Sequence, residues 1–313
     1  MPNLAQQLHS RGIVQARADA ARQLLSPCTL CPRLCGVDRL AGERGVCSTA
    51  ASACIAGYGP HFGEEQPLVG KAGSGTIFVA GCNLGCCFCQ NEDISTSTET
   101  AQAVDARDFA AIMLELQAMG CANINVVTPS HIVPQLLEAL AVALDAGLDI
   151  PLVYNCGGYE SLQTLNLLAG CVDIYMPDMK FWLPETAKRY AHAPDYPQRM
   201  REAVLWMQGQ VGELVLDDHG LARSGLLVRH LLMPGMYAET QEILRFIAEQ
   251  VSPATYVNIM AQYRPCGRSA DFAELGRSIS SEEYGEALAF ARQIGLNRLD
   301  QPDMDRFLRL LFK

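Results

Sequence analysis

A loop of four cysteines carries the most specific chemical pattern in this sequence. Residues 81–91 read GCNLGCCFCQN, in which Cys82, Cys86 and Cys89 have the spacing C-x3-C-x2-C. Three thiolates on one short loop can bind three irons of a [4Fe–4S] cube. The fourth iron then has no protein ligand, and an open iron of this kind can bind a substrate or cosubstrate. The spacing therefore predicts a catalytic iron–sulfur site.

Two other interpretations of this loop remain open. Cys82, Cys87 and Cys89 would give the spacing C-x4-C-x-C, but we interpret Cys87 as a small buried side chain, which is the usual position of a free cysteine. Three of the thiols and another ligand could also form a structural zinc site. Gly81 and Gly85 favour the cluster, because glycine allows the backbone to turn tightly around it.

The loop resembles the signature of the radical S-adenosylmethionine (SAM) superfamily, in which an aromatic residue precedes the last cysteine. Here that residue is Phe88. The resemblance implies a [4Fe–4S] cluster and SAM as cofactors. SAM would chelate the open iron, and one electron would cleave it to methionine and a 5′-deoxyadenosyl radical. That radical would then take a hydrogen atom from a substrate.

Composition places the chain among ordinary globular proteins. It has 313 residues, of which 49% are hydrophobic and 19% charged, and a formal net charge of −10. The negative charge argues against a nucleic-acid-binding surface. Residues 1–25 lack the apolar core of a signal peptide, and no apolar run approaches the roughly 18 residues of a membrane span. We therefore expect a cytoplasmic protein whose 13 cysteines serve metal or redox chemistry rather than disulfides.

Short apolar runs alternate with amphipathic segments from residue 76 onward. This order predicts parallel strands covered by helices. The six predicted strands are 76–80, 123–128, 150–155, 172–177, 226–232 and 255–260.

Six such units with right-handed crossovers predict an α/β fold, a partial (β/α)6 TIM-like barrel; a doubly wound open sheet is the alternative. The predicted divisions are a helical lead-in and Cys-rich metal-binding segment (1–75), the barrel (76–265) and a C-terminal helical extension (266–313). Within the first division, GEEQPLVGKAGSG (63–75) is interpreted as a connector to the barrel. In either architecture, functional residues lie at the carboxyl ends of the strands. The cysteine loop follows the first strand, as this rule requires.

Three further strand ends resemble the glycyl-radical-enzyme-activating enzymes, of which pyruvate formate-lyase activating enzyme is the type. The stretches are VYNCGGYE, VDIYMPDMKFW and LLVRHLLMPG. The resemblance covers about residues 76–265 and implies a set of SAM-binding residues: Asn155, Gly157, Asp178, Lys180, Arg229 and His230.

The sequence departs from that family after the second strand. Most members carry a G-G-E turn that receives the SAM amino group, whereas this chain has VVTPSH. Thr128 offers a hydroxyl and a backbone carbonyl in its place, so we assign it to the cofactor site. His131 either caps the following helix or reaches the pocket.

The second departure is the Cys-rich leader, residues 28–47, which read CTLCPRLCGVDRLAGERGVC. Its cysteines give the spacing C-x2-C-x3-C-x11-C, and four thiolates can bind a structural zinc ion or an auxiliary Fe–S cluster. The sequence leaves both open, together with unligated thiols. The four residues are Cys28, Cys31, Cys35 and Cys47. Cys121, Cys171 and Cys266 are isolated and are interpreted as core residues.

We expect a radical SAM enzyme that abstracts hydrogen from a substrate, and the resemblance implies a glycyl radical enzyme as that substrate. The alternative within the same chemistry is modification of a small molecule or peptide. The alternative of another class is a non-catalytic Fe–S electron carrier or a zinc-organised interaction module. The enzyme would need a low-potential electron donor of the flavodoxin or ferredoxin type, and we expect no nucleic-acid or membrane partner.

Overall fold

The computed structural model describes residues 4–300. The last part of the predicted C-terminal extension, 301–313, lies outside the described residues, as do residues 1–3. The described residues form nine strands: β1 Ala53–His61, β2 Ser74–Val79, β3 Gln102–Val104, β4 Ile124–Val127, β5 Leu152–Cys156, β6 Ile174–Pro177, β7 Val215–Leu216, β8 Ala222–Leu231 and β9 Tyr256–Met260.

Helices follow most of these strands along the chain. Their bounds are α1 Leu4–Ser10, α2 Ile13–Gln23, α3 Gln66–Val69, α4 Glu92–Ser95, α5 Ala106–Ala118, α6 Val133–Asp145, α7 Leu162–Leu168, α8 Pro184–Ala191, α9 Tyr196–Val211, α10 Tyr237–Phe246 and α11 Ser281–Gln293. A π-helical turn, Ile247–Val251, continues α10. In the described part of the chain, no helix combines the length and the apolar character that a membrane crossing requires.

Six parallel strands form the centre of the sheet. They are β2, β4, β5, β6, β8 and β9, and each pairs in parallel with the next in chain order. A doubly wound sheet would reverse its strand order at a switch point. Because this order never reverses, right-handed crossovers place the helices on one face and the sheet curves away from them. The predicted partial barrel is therefore confirmed, and all six predicted strands are present.

The sheet is not a closed barrel over residues 4–300. The antiparallel strands β1 and β3 extend it beyond β2, and β7 pairs antiparallel with β8. Sequence analysis missed β1. Its sequence, ACIAGYGPH, includes two glycines and a proline, and its pairing with β2 is irregular between Ile55 and Gly57. Such a strand carries a weak periodic signal because pairing with a neighbour, rather than local propensity, stabilises it.

A short segment after β1 fills the concave side of the sheet. α3 buries Leu68, which packs with Val153 of β5, Met176 of β6 and Leu227 of β8. Burying a leucine side chain contributes about 1.5–3 kcal/mol. The sequence predicted only a connector here, GEEQPLVGKAGSG. In the structure, α3 is a plug that closes one end of the barrel interior.

The main core lies between the sheet and the helices. The lead-in helix α2 joins it, packing against α6 and α7 through the buried side chains of Val14, Ala18 and Ala21. Alanines at this face allow the helices to approach closely. The lead-in is therefore part of the wall that supports β5 and β6 from outside.

Candidate active site

A cavity of about 230 Å³ opens at the carboxyl edge of the parallel strands. Every one of the six strands contributes to its lining, either with its last residues or with the residues that follow. Val79, Val127, Cys156, Leu231 and Met260 form much of its apolar wall. The end of β6 contributes Asp178, which follows its last residue. This is the edge at which strand-end side chains converge in parallel α/β proteins.

The cysteine loop forms one side of the cavity. Cys82, Cys86 and Cys89 line it, whereas Cys87 is not among its lining residues and is buried in the main core. The backbone amide of Cys87 donates to the carbonyl of Tyr190 at 2.8 Å. The placement thus favours the C-x3-C-x2-C set over the one that includes Cys87.

Two of the cavity thiols accept hydrogen bonds, one from the loop and one from α4, which follows it. The amide of Leu84 lies 3.3 Å from Cys82 Sγ, and the hydroxyl of Ser95 lies 3.2 Å from Cys89 Sγ. Donors of this kind stabilise a thiolate ligand. Within residues 4–300, no three His, Cys, Asp or Glu side chains are grouped around a single metal-ion position. Ligands of an iron–sulfur cube bind different irons and stand around the cube, so this loop is compatible with a cluster.

Gly81 allows the cysteine loop to turn away from the end of β2 in close contact with the leader. Its φ of +85° is a left-handed conformation that glycine adopts without strain. A Cβ at this position would overlap the carbonyl oxygen of Cys47 and lie 2.7 Å from Thr49 Oγ1. The cysteine loop is thus packed directly on the Cys-rich leader.

Arg33 of the leader holds the same loop from another side. Its guanidinium donates to the carbonyls of Asn83 and Leu84 at 2.7 and 2.8 Å. It also donates to two carbonyls at the end of α8, those of Ala191 and His192. Sequence analysis gave Arg33 no role, because a single arginine between two cysteines has no distinguishing pattern.

Charged side chains line another part of the same cavity. Asp178 accepts from Arg229 Nε at 2.7 Å and is ion-paired with Lys180 Nζ. A second guanidinium nitrogen of Arg229 donates to Asn155 Oδ1 at 2.8 Å. Four residues that the sequence assigned to the cofactor therefore meet in one network at the ends of β5, β6 and β8, and Gly157 borders the same cavity.

The turn that carries Asp178 and Lys180 is held by one tyrosine. The hydroxyl of Tyr196 donates to the carbonyl of Asp178 at 2.8 Å and accepts from the amide of Lys180 at 3.0 Å. Tyr196 begins α9 and is fully buried. The two charged side chains are therefore presented by a rigid turn.

The charge network shifts the protonation of its members. Burial raises the pKa of Asp178, but the charges of Arg229 and Lys180 outweigh it and bring that pKa to about 2. Burial also raises the pKa of Cys86, and the positive charge of Lys180 opposes this shift. Lys180 therefore lies between the carboxylate and a cavity thiol, where it interacts with both.

Two acidic residues just before α3, Glu64 and Glu65, extend this charged network. Glu64 Oε2 lies 3.7 Å from Arg229 Nη1, and Glu65 accepts from Asn258 of β9 at 2.7 Å. Burial raises the pKa of Glu65. Sequence analysis missed both, because they belong to a segment that resembled a surface connector. Adjacent acids before a proline are only a weak signal.

Comparison with known proteins identifies a family. Uncharacterized protein MJ0674 of Methanocaldococcus jannaschii is 30% identical to the chain over 292 residues, which cover 91% of this chain and 80% of that protein. The chain belongs to the MJ0674 family. No family model matches it.

Solved structures show partial likeness at low identity. SuiB of Streptococcus suis, bound to precursor peptide SuiA, shares 12% identity with a TM-score of 0.47 over 73% of this chain and 49% of SuiB. TsrM of Kitasatospora setae, a radical S-adenosylmethionine methyltransferase with cobalamin and a [4Fe–4S] cluster, shares 17% identity with a TM-score of 0.42 over 60% of this chain and 36% of TsrM. The chain spans about half the length of SuiB and about a third of that of TsrM.

Thr128 of this MJ0674-family chain has a strained backbone at the cavity edge. It lines the cavity and has a φ of +63°, which is unusual for a β-branched residue. Its amide donates to the carbonyl of Asn155 at 2.8 Å, which holds this conformation. Strained residues cluster at functional sites, and the cofactor role of Thr128 stays a prediction.

Two histidines of the MJ0674-family chain lie away from the cavity. His230 was expected to face it together with Arg229, but its ring is buried between the carbonyl of Met179 and the hydroxyl of Thr240. Adjacent residues of a strand point to opposite faces, so only one of the pair can line the cavity. His131 is also buried, with Nε2 2.9 Å from the carbonyl of Ala80, and it neither caps α6 nor reaches the cavity.

A buried carboxylic acid lies behind the end of β5. Glu160 accepts hydrogen bonds from Tyr154, at 3.0 Å, and from Ser130. Burial raises its pKa. Sequence analysis missed this network, which ties β5 to the turn after β4 and thereby supports Thr128 and Asn155.

The leader cysteines lie next to the cysteine loop. Cys28, Cys31 and Cys47 are buried and Cys35 is half-buried, and all four are free thiols. Cys121 and Cys171 are buried, as the sequence predicted. Cys266 is only half-buried, and its thiol donates to the carbonyl of Phe88 at 3.2 Å, which places it beside the cysteine loop rather than in the core.

Proposed function

We propose that the chain is a radical S-adenosylmethionine enzyme. One observation carries the proposal: the three thiols of the C-x3-C-x2-C loop and the charged strand-end network line the same cavity. The thiols suit a [4Fe–4S] cluster, and the network offers donors and acceptors for the amino acid and ribose groups of SAM. When bound, a cluster with one iron free of protein ligands supplies the electron that cleaves SAM to methionine and a 5′-deoxyadenosyl radical.

The protein residues have distinct tasks in this proposal. Cys82, Cys86 and Cys89 bind the cluster. Asn155, Asp178, Lys180 and Arg229 bind and orient SAM, with Thr128 and Gly157 contributing backbone groups. The apolar wall of the cavity excludes water, which would otherwise quench a reactive radical.

Assembly of the cluster and cleavage of SAM test the proposal directly. Protein reconstituted anaerobically with iron and sulfide, then treated with dithionite and SAM, is expected to release 5′-deoxyadenosine. Cys82→Ala, Cys86→Ala and Cys89→Ala should each abolish this product. Cys87→Ala is the matched control, because it removes a thiol from the same loop but not from the cavity, and it should retain activity.

A non-catalytic protein is the alternative of another class. An Fe–S electron carrier or a zinc-organised interaction module would hold metal but would not cleave SAM. Fully reconstituted protein that yields no 5′-deoxyadenosine would favour the carrier, and protein that binds only zinc would favour the module. Both outcomes contradict the proposed enzyme.

For the substrate, we propose hydrogen abstraction from a glycyl radical enzyme, on the likeness of the three strand-end stretches to the activating enzymes. A low-potential flavodoxin- or ferredoxin-type protein in the cytoplasm would supply the electron. Incubation with candidate glycyl radical enzymes should produce a glycyl radical signal in electron paramagnetic resonance spectra. If the reconstituted protein produces no 5′-deoxyadenosine, the proposed radical SAM chemistry is disproved. Retained production without a glycyl signal would instead favour modification of a peptide or small molecule.

A further inference from the structure

The leader folds into a closed loop that gathers three of its cysteines. The amide of Cys28 donates to the carbonyl of Val37 at 2.8 Å, and the amide of Gly36 donates back to the carbonyl of Cys28 at 3.0 Å. At the tip, the amide of Leu34 donates to the carbonyl of Cys31 at 3.0 Å. These bonds pair the backbone of Cys28 with Gly36 and Val37, which directly follow Cys35 in the chain, and Cys31 lies on the turn between the two ends.

A second turn brings the fourth cysteine to the same place. The amide of Ser48 donates to the carbonyl of Gly45 at 3.0 Å and closes a turn that contains Cys47. Gly45 lies against the loop so closely that a Cβ would be 2.6 Å from Cys35 Sγ. The thiols of Cys31, Cys35 and Cys47 are near enough to interact electrostatically with one another.

A buried cation beside these thiols lacks an anionic partner. Arg39 is 1% exposed, and the hydrogen bonds of its guanidinium within residues 4–300 go to the carbonyls of Ala50 and His131. Its charge acts on Cys47. A buried charge is costly unless it is paired with an opposite charge. A metal centre with thiolate ligands, which carries net negative charge, would supply that opposite charge.

We propose that Cys28, Cys31, Cys35 and Cys47 bind a second metal centre, with Arg39 as its buried counter-charge. The metal centre is an iron–sulfur cluster, whose ligands bind different irons and stand around it, since no three of these thiols surround a single metal-ion position. The site is separate from the SAM cavity and does not depend on the proposed function.

The second centre would also stabilise the catalytic loop. The carbonyl of Cys47 packs on Gly81, and Arg33, which lies between Cys31 and Cys35 in the chain, donates to the carbonyl of Asn83 at 2.7 Å. Gly81 and Asn83 flank Cys82 in the chain. Metal at the leader site therefore braces the loop that binds the first cluster.

Metal content of matched variants tests this proposal. The triple variant Cys82→Ala/Cys86→Ala/Cys89→Ala should retain a metal centre when reconstituted with iron, sulfide and zinc, and X-ray absorption should show sulfur ligation. The double variant Cys31→Ser/Cys47→Ser should lose that centre. The control Cys121→Ala/Cys171→Ala, which removes two buried thiols elsewhere, should hold as much metal as the wild type.

The metal that the triple variant binds decides the outcome. Iron and sulfide with the Mössbauer signature of a cluster would support the site, whereas zinc alone would overturn the proposed cluster. A triple variant without bound metal would overturn the proposal even if the double variant failed to fold. Sulfur-free ligation in the triple variant would also overturn it. If the triple variant retains metal but reconstituted wild-type protein releases no 5′-deoxyadenosine, the result would count against only the proposed function.

Discussion

Arg229 Nε donates to Asp178 Oδ1 at 2.7 Å, joining the ends of β8 and β6 across the floor of the cavity. The two side chains are 16% and 11% exposed, so this is a nearly buried ion pair. Asp178 also pairs with Lys180, and a single carboxylate thus serves two cations. The arrangement fixes the charged wall before any ligand binds.

Removing that carboxylate should destabilise the protein. Asp178→Asn leaves Arg229 and Lys180 without their shared acid, and loss of one partner of a buried pair costs about 3–5 kcal/mol. Urea denaturation of the metal-free protein should show a decrease of this order in the free energy of unfolding. Glu242→Gln is the control: it breaks the exposed Glu242–Arg245 pair and should cost less than about 1 kcal/mol. Equal effects of the two substitutions would contradict the assignment of a buried network.

The hydrogen bonds from Arg33 to the cysteine loop should determine how much cluster the protein retains. Arg33→Lys replaces a planar guanidinium that reaches four carbonyls with an ammonium that cannot match its geometry. We expect faster amide hydrogen exchange in residues 82–89 and less iron retained after reconstitution. Arg223→Lys, which alters an exposed ion pair with Asp217, should leave both measurements unchanged. Unaltered exchange in the Arg33 variant would show that the loop is held by other contacts.

Gly81 should tolerate no side chain. Gly81→Ala adds a Cβ that collides with Cys47 and Thr49, in addition to the strain of a left-handed backbone. Gly147→Ala is a suitable control, since its φ is +94° and no atom lies within 4 Å of the added Cβ. The control should lose about 1–2 kcal/mol from backbone strain alone, and Gly81→Ala should lose more, together with its bound iron. Similar losses would show that the loop and the leader can move apart.

Buried histidines should make the protein sensitive to mild acid. Burial lowers the pKa of His230 from 6.5 to about 4. Between these values the unfolded chain binds a proton that the folded chain does not, so the free energy of unfolding falls as the pH falls from about 6.5 to 4. His230→Gln removes this titrating group. The loss of unfolding free energy between about pH 6.5 and pH 4 should then be smaller by roughly 3 kcal/mol, because one pKa unit corresponds to about 1.4 kcal/mol.

Denaturation curves from pH 7 to pH 4 would measure that slope. The exposed residue His219 provides the control, and His219→Gln should follow the wild type. If the His230 variant has the same slope as the wild type, its ring does not titrate in this range.

Local patterns were sufficient for the strands, whereas the residues at their ends came from the resemblance. All six parallel strands were predicted because buried parallel strands are continuous apolar runs. The resemblance assigned Asn155, Asp178 and Arg229 to one site, and the structure brings these three to the same cavity. The same reasoning failed for His230, although strand alternation predicts that it points away from its neighbour Arg229. β1 was missed because an irregular, glycine-containing strand depends on its partner.

The sequence by itself determined the thiol spacing, the order of strands and helices, and the edge of the sheet where chemistry is expected, because spacing and periodicity are local properties of the chain. Only the tertiary structure decided which distant residues surround that edge. Glu64 reaches Arg229 from the plug, Arg33 reaches the cysteine loop from the leader, and Arg39 lies buried beside Cys47. These contacts depend on how the sheet curves and how segments pack against it, and no short stretch of sequence encodes that geometry.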